Sequence, residues 1–181
     1  ANGRSLTTFA HLDPCANIDY TVKEVQDLLQ VKGRDETFPL TTANAQSLHT
    51  TPVIKATLSG HCEITDEFEM EFKVFDSQSI NSSRVPSPAV LKDFPDLMSR
   101  RTFTDLPNYD VDLPKVTVLL GMTNVNLHKY FESLTSEDGR LLLQLTPLGY
   151  VIVGMPLLDK RKPSYAVNLI KTEDRSLGQE F

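Results

Sequence analysis

Few side chains in this chain have the type and placement to do chemistry. Asp13 closes an apolar stretch, Phe9-Ala10-His11-Leu12, and is followed by Pro14, Cys15, Ala16 and Asn17. A carboxylate raised on a tight turn at the end of a strand can serve as a general acid or base when a second group tunes its ionisation. Asp before Pro is also an ordinary way to start a turn. Cys15 carries a thiol, yet no base stands near it in sequence, and a small buried hydrophobe is the simpler expectation. The histidines at 11, 49, 61 and 128 are scattered, and His61 and Cys62 would point to opposite faces of any strand, so no metal site is expected. Neither the glycine patterns that cradle nucleotides, the zinc-protease H-E-x-x-H, nor the G-x-S-x-G elbow occurs. No Ser-His-Asp set is singled out, and no cofactor is implied.

The elements that must carry Asp13 are mostly strands. Ser5 to Leu12 is rich in Thr and apolar residues and predicts a strand ending at Asp13. The turn signal Asn2-Gly3 before it suggests that another strand lies upstream. Thr21 to Leu29 predicts a helix, with Thr21 as N-cap, Glu24 at capping-box spacing, Val22, Val25, Leu28 and Leu29 on one face, and Gly33 as the stop. Thr37 to Ala43 and Thr51 to Leu58 predict two strands around the polar segment Asn44 to Thr50, a pair able to form an exposed hairpin. Phe68, Met70, Phe72 and Val74 alternate with Glu67, Glu69, Glu71 and Lys73, the pattern of a half-buried strand.

Ile80 to Pro88 reads as loop, and Val90 to Met98 as a short helix that Pro95 should end or kink. Lys115 to Leu120 predicts a buried strand stopped by Gly121. Val125 to Phe131 has helical spacing through Leu127 and Phe131. Glu137-Asp138-Gly139 is a turn before strands at Arg140 to Leu145 and Tyr150 to Val153. From Pro156 the sequence turns polar. The expected organisation is therefore one domain over 1–155, then a linker and short C-terminal helix over 156–181. The class is mainly β with two or three short helices and no internal repeat.

Bulk properties agree with a globular domain: 181 residues, 40% hydrophobic and 23% charged. A net charge of -6 argues against sequence-independent nucleic-acid binding, which needs clustered Lys and Arg. The short basic run Lys160-Arg161-Lys162 is expected to be a solvated linker, with a nuclear signal as the alternative. The two cysteines offer no disulfide framework. No signal segment and no run long enough to cross a bilayer is seen, so a cytoplasmic (alternatively nuclear) setting with no membrane partner is expected. Asn81-Ser82-Ser83 is then a chance glycosylation match.

Two landmarks in order are more specific than either alone: the strand ending at Asp13, and Val116-Thr117-Val118-Leu119-Leu120-Gly121-Met122 about a hundred residues later. Together they resemble the protomer of a retroviral-type aspartic protease. Leu119 to Leu127 is similar to the LIGLDN-xx-L stretch of BEL/Pao-type retrotransposons. Thr146-Pro147-Leu148-Gly149-Tyr150-Val151-Ile152-Val153-Gly154 is similar to their T-R-LGW-V-x-x-G segment, and Leu169 to Gly178 loosely resembles their link toward reverse transcriptase. Val22 to Leu29 also sits where that family places a helix. The resemblance covers nearly the whole chain.

It implies a closed, barrel-like retropepsin fold, with Asp13 as the one catalytic carboxylate per subunit of a homodimer. Two such carboxylates would share a proton and activate water. Pro14, Cys15, Gly121 and Gly149 would be its fold landmarks, and a flap over Thr41 to Thr51 would present Thr41, Ala43, Asn44 and Gln46 to a peptide. The chain departs from the family at three places. Pro14 replaces a Thr or Ser hydroxyl and lacks a backbone donor. Cys15 replaces a Gly that lets backbone approach the carboxylates. Thr123 stands where the family commonly carries Asp. The resulting expectation is a non-catalytic module that dimerises or binds a protein or extended peptide as a scaffold. An active homodimeric aspartic endopeptidase that processes a polyprotein is the alternative.

Overall fold

The computed structural model describes residues 3–41, 46–60, 67–76, 94–100, 113–154 and 168–173. In chain order it contains β1 (Ser5–Leu12), β2 (Tyr20–Val22), α1 (Lys23–Leu29), β3 (Arg34–Thr41), β4 (Gln46–Gly60), β5 (Glu67–Phe75), α2 (Pro95–Arg100) and β6 (Leu113–Leu120). A 3-10 turn (Val125–His128) precedes β7 (Glu132–Thr135), β8 (Leu141–Thr146), β9 (Gly149–Gly154) and β10 (Asn168–Glu173). The protein is mainly β, as its alternating sequence predicts.

Seven strands form one sheet in the order β10-β1-β6-β2-β5-β4-β3, and β10 also pairs with β4. β1 runs parallel to β6, with Leu12 opposite Leu120, and β2 runs parallel to β5; the other pairs are antiparallel. β4 is long enough to serve three partners. Gln46 to Val53 pairs with β3, Thr57 to Gly60 pairs with β10, and Val53 to Ser59 pairs with β5. A second, antiparallel sheet has the order β7-β8-β9.

Burial follows the period of each element. In β5, Met70, Phe72 and Val74 are buried while Glu67, Glu69 and Glu71 are exposed, as strand alternation requires. These residues join Leu12, Ile54, Leu58, Leu120, Leu127, Leu148 and Val151 in the largest core. A second core packs Val25 and Leu29 of α1 on Leu6, Phe9, Val22 and Val116. A third sets Phe94 and Leu97 against Leu141, Leu143 and Ile152. Val151 and its neighbour Ile152 serve different cores, so the small sheet is covered on both faces. Sequestering each such side chain contributes about 1.5–3 kcal/mol.

Several expectations need correction. Thr21 is not an N-cap: it lies in β2, and its buried hydroxyl donates to Thr117 O at 3.1 Å. Val22 caps α1 without a side-chain bond, and Leu28 is 46% exposed rather than on the packed face. The helix stops at Gln30, in the left-handed region, before Gly33 is reached. Pro95 begins α2 instead of ending a helix, since a first helical position needs no N–H. The polar stretch from Gln46 to Thr50 is part of β4, carried by its pairing with β3. Val125 to Phe131 shortens to one 3-10 turn, with Leu127 buried and Phe131 55% exposed. β7 was not anticipated. Within the expected C-terminal linker and helix, Asn168–Glu173 forms β10, stabilised by pairing with β1 and β4 rather than by local propensity. The predicted loop over 80–88, His61, Cys62, Asn81 and Lys160–Lys162 lie outside the described residues.

Candidate functional site

Asp13 follows directly on β1, and its position is fixed by the neighbouring parallel strand. Its N–H donates to Leu120 O at 2.9 Å, extending the β1–β6 ladder by one bond. The chain then reverses: Ala16 N–H reaches Asp13 O at 3.2 Å, and Cys15 N–H donates to Asp13 Oδ1 at 2.9 Å. This second bond is the local side-chain turn that Asp readily makes. The carboxylate is half-buried, while Pro14 and Cys15 are exposed. Cys15 is a free, exposed thiol, contrary to the expectation of a small buried hydrophobe. The turn projects it away from the apolar cores, so burial cannot be its role.

Gly121 is brought against this turn. Met122 N–H donates to Ala16 O at 2.8 Å. A Cβ on Gly121 would stand 2.5 Å from Ile18 O and 2.8 Å from Ala16 O, which no side chain tolerates. The glycine is required by backbone proximity. Gly149 serves for another reason: its φ of 107° opens β9, and its carbonyl accepts the Thr146 hydroxyl at 2.8 Å. It belongs to the small sheet rather than to the Asp13 turn.

Asp19 was not foreseen. It is 6% exposed and accepts Gly121 N–H at 2.8 Å on Oδ1 and the Thr123 hydroxyl on Oδ2. The resemblance puts a carboxylate at position 123; here the Thr123 hydroxyl meets one supplied by Asp19. Burial pushes the Asp19 carboxyl above the usual aspartate range, with Thr123, Gly121 N–H and His128 pulling it partly back. No local pattern marks Asp19, because both of its partners lie about a hundred residues further along the chain. His128 Nε2 lies 2.8 Å from Gly121 O. A carbonyl only accepts, so that nitrogen carries the proton.

Asp13 is felt by two flanking groups. Burial lowers the His11 imidazole below its ordinary value, and the Asp13 charge opposes this. Burial and Asp13 together raise the Tyr20 phenol. Tyr20 also starts a row of rings leading to the β3–β4 hairpin. Tyr20 meets Phe75 edge-on at 5.3 Å, Phe75 meets Phe38 at 6.2 Å, and His49 stands 6.5 Å from Phe38. Lys73 Nζ lies 4.2 Å over the Phe38 ring and is held by Glu36 at 2.9 Å. In the hairpin Thr41 pairs with Gln46, and both are exposed. Ala43 and Asn44 lie outside the described residues.

A cavity of about 490 Å³ opens beside Asp19, between Asn17 and Ile18, Thr123 and Asn124, and the Glu69–Lys73 stretch of β5. Among the described residues no helix is long and apolar enough to cross a membrane. No protein-family model matches the chain, and no curated protein or solved structure matches it either.

Proposed function

We propose that this chain is a retropepsin-like module of a retrotransposon-derived protein, with a barrel-like sheet, that works by association and not by cleaving peptides. Its role is homodimerisation, or capture of a protein or extended peptide as a scaffold. The observation that carries the reading is the contact of the two landmarks: the Asp13 turn hydrogen-bonds to Leu120 and Met122 on either side of Gly121, while no hydroxyl follows Asp13. The bridging of β1 and β4 by β10 supports the barrel-like part of the reading.

The case against catalysis is one of positioning. Two carboxylates that share a proton must be held within hydrogen-bond reach, and small misplacements cost large factors in rate. Pro14 supplies neither a hydroxyl nor an N–H for that purpose. Strand capture does not need the carboxylate pair, because an added strand binds through backbone groups. β3 ends the seven-strand order and offers such an edge. The endopeptidase alternative draws on one observation: Asp13 keeps a backbone donor from Cys15 and remains half-exposed.

Sedimentation of the purified chain, with and without extended peptides from its own polyprotein, tests the reading. Self-association or peptide binding that survives Asp13→Ala, without peptide hydrolysis, is expected. Hydrolysis abolished by Asp13→Ala would establish the endopeptidase instead. A monomer that binds no peptide would overturn both.

A further inference from the structure

β5 is nine residues long, and its two neighbours cover it unequally. On one side β4 pairs with it from Glu67 to Lys73. On the other side β2 begins at Tyr20 and pairs only with Lys73 to Phe75. Lys73 N–H donates to Asp19 O at 3.1 Å, so the backbone groups of Lys73 face β2. Strand alternation turns those of Glu69 and Glu71 to the same edge. Among the described residues no strand pairs with Glu69 or Glu71 there.

The reason lies in the chain before β2. Met122 N–H takes Ala16 O, while Gly121 N–H and the Thr123 hydroxyl take the Asp19 carboxylate. These bonds draw residues 16–19 toward the loop after β6 and away from β5. The space left open is the cavity of about 490 Å³, walled by Asn17 and Asp19, by Thr123 and Asn124, and by β5. Ligand clefts span about 300–1,000 Å³. Three carboxylates, Asp19, Glu69 and Glu71, border it against one ammonium, Lys73. Lys73 is engaged by Glu36 at 2.9 Å, and Glu71 by Arg34 at 2.8 Å. Glu69 is exposed and has no ion pair among the described residues.

We propose that the open edge of β5 is a strand-capture site for an extended segment of another protein, with a Lys or Arg opposite Glu69. The segment continues the line of β2, and its backbone bonds the N–H and C=O groups of Glu69 and Glu71. Cross-strand partners share a face, so the residue opposite Glu69 meets its carboxylate, and opposite charges there add affinity. Asn124 Oδ1 already accepts Asn126 N–H at 3.2 Å, which leaves its amide N–H groups for the far edge of the segment. Neither Asp13 nor β3 borders the cavity. The site therefore stands whether or not the chain is retropepsin-like, and it is separate from capture at β3.

The test is an NMR titration of the full chain with the end-blocked peptide Thr-Val-Lys-Val-Thr, carried into the millimolar range. Saturable shifts are expected at the Glu69 and Glu71 amides and across the cavity at Thr123 and Asn124. Glu69→Lys should weaken binding about fivefold, and the same peptide with Glu in place of its Lys should regain that factor on the variant. Glu69 is exposed, so the variant keeps the fold. N-methylation of the peptide at its Lys, or in a second peptide at both Val residues, blocks alternate backbone donors. One of the two should lose binding and the other keep it. Unmoved Glu69 and Glu71 amides overturn the site, as does equal binding of both N-methylated peptides. Equal affinity of the unsubstituted protein for the Lys and Glu peptides overturns the basic partner. Shifts confined to Thr37 and Thr41 of β3 would favour the proposed function and overturn capture at β5.

Discussion

Asp13 and Asp19 stand six residues apart on one turn and occupy opposite physical situations. Asp13 is half-exposed, and its carboxylate accepts a bond from within its own turn. Asp19 is buried and accepts two bonds from a loop about a hundred residues away in sequence. The contrast teaches that the residue with the catalytic look carries little of the architecture. The inconspicuous one joins the two landmarks.

Four measurements would break or sharpen that contrast, beginning with the largest effect. Gly121→Ala should cost about 3 kcal/mol in chemical denaturation, because its Cβ would press on the Ile18 and Ala16 carbonyls. Asp19→Ala should cost about 2 kcal/mol by leaving Gly121 N–H and the Thr123 hydroxyl unpaired, while Asp19→Asn should stay within about 1 kcal/mol. A larger loss for Asn than for Ala would contradict the bonding assigned here.

The third measurement is stability against pH, where Asp19 and His11 act with opposite signs. The folded value of Asp19 lies above the ordinary 3.8, so its contribution is complete below 3.8 and is lost as pH rises through the raised value. The folded value of His11 lies below the ordinary 6.5, so its contribution is present above 6.5 and is lost as pH falls through the lowered value. Asp19→Asn should flatten the falling limb, and His11→Gln the rising one, in denaturation midpoints recorded across pH. The smallest effect belongs to Asp13→Ala, which should change stability by no more than about 0.5 kcal/mol. A loss as large as that of Asp19→Ala would erase the contrast.

The legible parts of the fold were those with a strict period and one buried face. Phe68 to Val74 announced β5 by alternation, and Ser5 to Leu12 with Lys115 to Leu120 announced the strands on either side of the site. Gly121 was legible because an apolar run stopping on glycine has few structural readings. Long-range bonds hid the rest. Thr21 looks like a helix cap locally, but Thr117, 96 residues away, takes its hydroxyl. Residues 168–173 have no strong strand pattern and become a strand only where β1 and β4 offer edges. Asp19 has no local motif at all, and its role exists only where Gly121 and Thr123 arrive.

β10 has a consequence for the order of events in the cell. A ribosome delivers β1 and β4 long before residues 168–173, so both strands wait with backbone groups unpaired on the sides that β10 will occupy. Open edges of that kind recruit other chains. The nascent protein is thus vulnerable to aggregation until residues 168–173 have been made. A fragment cut at residue 155 would remain in that vulnerable state permanently.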